Sequence, residues 1–113
     1  MNTVNMKALS VNKAWQGKRF KTPAYKSYER DILRILPKIL VPDGNLLVRV
    51  EFGHSSKLSD IDNGLKPFLD CLQKKYGFND NKIKSLIVVV NNDVKKGSEY
   101  IKFSIESVED LAA

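Results

Sequence analysis

Five consecutive aliphatic residues, Leu86-Ile87-Val88-Val89-Val90, constrain the fold more than any other stretch of the chain. A strand with one face in water alternates apolar and polar residues, whereas an unbroken apolar run belongs to a strand with both faces covered. The stretch from Lys82 to Asn91 is therefore predicted to be a central strand. At five residues the run is far short of the roughly 20 that a membrane span requires. A chain of 113 residues is one domain, here residues 1–113, large enough for a real core and too small for two.

The other segments supply partners for that strand. Val4, Met6 and Ala8 alternate with Asn5 and Lys7, which predicts a strand from Thr3 to Leu9. Thr22-Pro23 reads as a helix start, an N-cap followed by proline at the first helical position. Tyr25, Tyr28, Ile32, Ile35 or Leu36, and Ile39 then recur at helical spacing, and Pro37 ends or kinks that helix near Leu36. Val41-Pro42-Asp43-Gly44 has the chemistry of a turn. Val48, Val50 and Phe52 alternate with Arg49 and Glu51 in a strand from Leu46 to Phe52. After a second helix, the Lys82 to Asn91 strand and the alternating Tyr100 to Ile105 segment are predicted to form a hairpin. The order β-α-β-α-β-β gives an α+β domain, two main helices on a small mixed sheet.

Charge is unevenly distributed. The formal net charge is +6, and residues 1–28 contain Lys7, Lys13, Lys18, Arg19, Lys21 and Lys26 without one acidic residue. The rest of the chain is balanced, so the whole excess sits at the N-terminal end. A one-sided basic segment suits a polyanion such as nucleic acid, although a solvated basic loop has the same composition. Trp15, Phe20 and Tyr25 are interleaved with these charges, and each suits either stacking on bases or anchoring the loop to the core. No charged segment followed by an apolar one opens the chain, which reads as a soluble cytoplasmic protein. Cys71 is the only cysteine, so neither an internal disulfide nor a cysteine zinc cluster is expected. His54, the only histidine, falls in a loop, where a lone histidine is more often incidental than catalytic.

Chemistry concentrates between Ser59 and Asp80. Asp60, Asp62 and Asp70 lie within eleven residues, with Lys66 among them, and Asp80 follows beyond Gly77. On a helix Asp62, Lys66 and Asp70 share one face, while Ile61, Leu65, Phe68, Leu69, Leu72 and Tyr76 collect on another. Gly77 is a natural C-terminal stop that lets Asp80 return. Pro67 leaves two solutions: either the helix begins around Asp62 to Gly64, with Pro67 near its first turn, or it begins at Asp60 and kinks. Carboxylates without a histidine or cysteine set suit a hard, oxygen-preferring ion, Mg2+ or Mn2+. In a basic protein that combination points to phosphodiester hydrolysis, with Lys66 stabilising the transition state or protonating the leaving group.

Two structural readings compete. Ser59 to Asp62 has the form of a capping box, and Asp62 with Lys66 is an ordinary i, i+4 surface pair. An EF-hand is excluded, because Gly64 comes one residue too early and Cys71 stands where the closing Glu belongs.

The pattern Asp60-Ile61-Asp62-Asn63-Gly64-Leu65-Lys66-Pro67-Phe68-Leu69-Asp70, followed by Asp80-Asn81-Lys82-Ile83, resembles the RusA family of Holliday junction resolvases. The resemblance extends to Ser10-Val11-Asn12-Lys13 and to the segment from Arg19 to Ile32, and so covers nearly the whole chain. It implies a RusA-like fold and a Mg2+-dependent endonuclease that cuts four-way DNA junctions as a homodimer. The metal ligands it implies are Asp60, Asp62 and Asp80, the catalytic lysine is Lys66, and Asn63 and Asp70 are supporting residues. Asn12, Lys13, Lys18, Arg19 and Lys21 are the corresponding DNA contacts. Asn79 departs from the pattern, where many members carry a second Asp. A four-way junction has two equivalent strands to cut, which a two-fold dimer of one-site domains matches. The competing expectations are a non-catalytic module for branched or single-stranded DNA, and a metal-dependent nuclease acting on linear or flap DNA.

Overall fold

The computed structural model describes residues 1–10, 15–16, 20–56, 61–62 and 64–111. Its strands are β1 (Asn2–Val4), β2 (Trp15–Gln16), β3 (Phe20–Lys21), β4 (Leu46–Gly53), β5 (Ile83–Asn91) and β6 (Tyr100–Ser107). The helices are α1 (Pro23–Ile35) and α2 (Leu65–Tyr76). The main sheet has the order β1-β6-β4-β5, with β4 parallel to β5 and antiparallel to β6, and β2 and β3 form a separate two-stranded ribbon. Two helices on one four-stranded mixed sheet are the α+β architecture that the sequence predicts.

Helix α1 forms as its sequence dictates. Thr22 Oγ1 accepts the Tyr25 N–H at 3.1 Å, Pro23 occupies the first turn, and the helix ends at Ile35, with Leu36, the residue before Pro37, as its extended C-cap. Tyr25, Tyr28, Ile32 and Leu36 make its buried stripe, so Leu36 rather than the exposed Ile35 continues the core. On β4, Val48, Val50 and Phe52 face the helices. Phe68 of α2 meets both Phe52 and Phe103 edge-on, with ring centroids 6.1 and 5.6 Å apart. That aromatic column ties α2 to β4 and β6, each such pair contributing about 0.5–1.5 kcal/mol beyond its buried area.

Three expectations are corrected. Strand β1 stops at Val4 instead of Leu9, and Met6, Ala8 and Leu9 pack against the core from outside the sheet. β6 pairs with β4 and β1, so it makes no hairpin with β5. β5 is an edge strand instead of a central one: Leu86 and Ile87 are each 41% exposed and Val89 48%. The physical reason is the α2 crossover, which sets β5 parallel to β4 on one side while β6 occupies the other. Among the described residues no helix is long and apolar enough to cross a membrane.

Candidate functional site

The turn before α2 decides where the acidic residues go. Pro67 lacks an N–H and is placed at the third helical position, where no intrahelical bond is lost. The helix therefore begins at Leu65 with Gly64 as its cap, the first of the two solutions open to the sequence. Gly64 is required for space, since a Cβ there would lie 2.9 Å from the Ala8 Cβ and 3.4 Å from the Phe52 ring. The helix begins at Leu65 rather than near Ser59, and Ser59 of the capping-box reading lies outside the described residues. Asp62 instead sits in the preceding turn, its carbonyl accepting the Leu65 N–H at 3.1 Å. Ile61, expected on the packed face, is 56% exposed beside it.

An open cleft of about 400 Å³ follows, with Asp62, Lys66, Asp70 and Asp80 on its walls and Leu65 and Leu69 contributing its apolar part. Asp80 returns as anticipated. Gly77 adopts φ +72° and donates its N–H to the Gln73 carbonyl, and the Asn79 side chain then caps the short helical turn Asp80–Lys82. Asn79, the departure from the RusA pattern, thus has a structural role, its Oδ1 accepting the Asn81 N–H at 3.0 Å. Gln73 also lines the cleft and fixes its far wall: its Oε1 accepts the Asp80 N–H at 2.9 Å and its Nε2 donates to the Leu69 carbonyl at 3.2 Å.

Lys66 is paired with Asp70, 3.3 Å away, rather than standing as the anticipated Asp62 partner. The Tyr25 hydroxyl donates to the same carboxylate at 3.5 Å. Burial, reinforced by Asp70, raises the Tyr25 pKa, so the hydroxyl stays protonated as a donor. Behind it, Glu29 holds Lys21 at 2.6 Å and Lys74 at 2.7 Å. Burial pushes the Glu29 pKa up, but the two lysines outweigh it and the net shift is downward. Tyr25, Glu29 and Gln73 were missed as site residues by sequence reasoning. Gln73 had a signal, seven residues after Lys66 and three after Asp70 on one helical face.

The donor chemistry suits a hard cation, since Asp62 and Asp80 present exposed carboxylates to one cleft. Among the described residues no group of three or more His, Cys, Asp or Glu is placed to hold a metal. Asp60 and Asn63 lie outside the described residues, as do Asn12, Lys13, Lys18 and Arg19. Of the expected DNA contacts only Lys21 is described, bonded to Glu29 and stacked over the Tyr25 ring, its ammonium 4.8 Å from the centroid.

A second cavity of about 670 Å³ lies beyond the Gly64 turn, bounded by Met6, Ala8, Tyr28 and His54. His54 is buried and stacks on Phe52, with ring centroids 5.9 Å apart. Burial and Lys7 lower its pKa, against an opposing effect of Glu99. Cys71 is buried, and its thiol is pushed up to about 12 by burial and then by Glu29 and Asp70, which leaves it an unreactive core residue. No protein-family model and no curated protein matches the chain.

Proposed function

We propose that this chain is a metal-dependent, structure-selective endonuclease of the RusA type, which resolves four-way DNA junctions by paired nicks in the cytoplasm. The observation that supports this reading is the single cleft shared by Asp62, Lys66, Asp70 and Asp80, residues delivered by a turn, a helix and a returning loop. Asp62 and Asp80 would hold Mg2+ or Mn2+ together with Asp60, two residues upstream of Asp62. The ion supplies Lewis-acid stabilisation and a water of lowered pKa. Asp70, braced by Tyr25, holds the Lys66 ammonium at the cleft, where a phosphate oxygen would displace it. An exposed pair of this kind is worth only a few tenths of a kcal/mol, so the exchange is nearly free. Two copies, each with one cleft, would serve the two equivalent strands of a junction.

The test incubates the protein with a labelled four-way junction and, in parallel, with a linear duplex of the same sequence, in Mg2+ or in EDTA. Paired symmetric nicks in the junction alone, dependent on Mg2+, are the expected result. Cutting of linear or flap DNA as well would move the reading to a broader nuclease. Asp62→Asn should abolish cleavage and leave junction binding intact; retained cleavage would remove Asp62 from the site. Lys66→Ala should lose turnover with binding preserved.

The rival reading is a module that binds branched or single-stranded DNA without cutting it. Calorimetric titration separates the two, since the module binds neither Mg2+ nor Mn2+.

A further inference from the structure

Strand β5 pairs with β4 along one side, and along the other no strand among the described residues meets it. Alternate residues of its nine therefore direct N–H and C=O groups outward, and no strand among the described residues receives them. Soluble proteins guard such an edge with charge, proline, a bulge or a covering segment. Here the guards, Lys84 and the register shift beside it, are confined to the first two residues. From Ser85 to Asn91 the strand carries neither charge nor proline, and its apolar side chains show on both faces, Leu86 on one and Ile87 and Val89 on the other.

We propose that this edge is the interface with a second copy of the chain, joined by antiparallel pairing of β5 with β5 of the partner subunit. Self-complementarity selects that occupant. A two-fold axis normal to the sheet at Val88, the midpoint of the unguarded stretch, sets Ile87 opposite Val89 of the partner subunit, and Val89 opposite Ile87. The two exposed apolar residues of the outer face thus cover each other, and Ser85 faces Asn91 at either end as a polar rim. Leu86 meets Val90 in the same way on the helix-bearing face, which continues the core across the junction of the sheets. Charge favours the same direction. Antiparallel pairing brings the Lys84 end of one strand to the partner's Asn92 and Asp93, whereas parallel pairing would stack Lys84 on Lys84. The arrangement is closed and isologous, so it consumes the β5 edge of both copies and leaves only the three-residue β1 at each outer end of the joined sheet.

The consequence for the cleft rests on the nuclease reading. Asp80 lies three residues before β5, so joining the strands fixes two acidic clefts on one eight-stranded sheet at a set spacing. The interface itself does not depend on that reading.

Light scattering on the full chain, without DNA or metal, should give twice 12.8 kDa at micromolar concentration. Ile87→Lys combined with Val89→Lys should give the monomer mass with unchanged circular dichroism, while Leu40→Lys, at a position 97% exposed elsewhere, should leave the dimer intact. Hydrogen exchange on the unaltered protein provides a readout independent of any substitution, and the β5 amides should become more protected as concentration rises. A wild-type monomer, a dimer that survives both lysines, or β5 protection that ignores concentration would each overturn the inference. A dimer of this kind that cuts no junction would instead leave the interface standing and remove the nuclease reading.

Discussion

β4 and β5 are parallel neighbours in register, with Val48 beside Leu86, Val50 beside Val88 and Phe52 beside Val90, yet they live in different environments. In β4 the residues Leu46, Leu47, Val48, Val50 and Phe52 are buried although Arg49 and Glu51 interrupt the run. β5 has the purer aliphatic run and is the more exposed strand. Burial follows the number of neighbours a strand has: β4 has β5 on one side and β6 on the other. The two charged residues of β4 tolerate a central position because they face away from the helices, where Arg49 bonds Glu106 at 3.1 Å and Glu51 accepts the Tyr100 hydroxyl.

The sharpest way to break this contrast is truncation on each strand. Phe52→Ala removes a fully buried ring from the aromatic column and should cost about 3–5 kcal/mol, whereas Leu86→Ala, at a site 41% exposed, should cost under about 1 kcal/mol in the monomer. Urea unfolding of both variants in the Ile87→Lys, Val89→Lys background checks the difference without the partner. Equal losses would mean that β5 is as well covered as β4.

The same pair of strands shows how far sequence carries. The start of helix α1 was legible to the residue and its end was placed near Leu36, because a cap, a proline and a 3.6-residue stripe are local signals. The start of α2 was one of two stated alternatives, and Gly77 ended it as expected. The gathering of Lys66, Asp70 and Asp80 was legible for the same reason, since helical spacing and one glycine place them, whereas Asp62 joins them from the turn before the helix instead of from the shared helix face. Strand order was not. Alternation reports whether a strand has a wet face, but an unbroken aliphatic run reads identically whether its cover comes from its own chain or from another. Tyr25 was anticipated only as core or stacking aromatic, because its bond to Asp70 exists only once α1 lies against α2.

Where β4 ends, His54 links the two strands: its N–H donates to the Asn91 carbonyl at 2.8 Å, and its own carbonyl accepts the Val94 N–H at 3.2 Å. Burial first and Lys7 second hold its folded-state pKa below the ordinary 6.5. The unfolded chain therefore binds the proton more readily, and stability that is complete above pH 6.5 falls as pH drops toward the folded-state value. The loss is bounded at about 1.4 kcal/mol per pH unit for one group. Thermal unfolding across this range should show the slope, and His54→Gln should flatten it. Glu29 has a separate window, since its lowered pKa withdraws stability only below the ordinary 4.5.

The contact most specific to the comparison is made by one tyrosine. Tyr100 on β6 donates its hydroxyl to Glu51 on β4 and accepts from Asn91 Nδ2 on β5 at 3.3 Å, so one side chain spans three strands. Its ring lies across Gly53, where an added Cβ would fall 2.3 Å from the ring. Tyr100→Phe keeps the ring and removes both bonds, and at this partly exposed site it should cost about 0.5–1.5 kcal/mol. Gly53→Ala forces the ring off the strand and should cost at least as much, about 1–3 kcal/mol. If the clash with the ring is the whole cause, Gly53→Ala should cost much less once Tyr100 is already alanine. A double-mutant cycle in urea measures that coupling. Strict additivity would show that Gly53 is required for the backbone path into His54, and that the ring merely covers a strand end that β4 would hold in place without it.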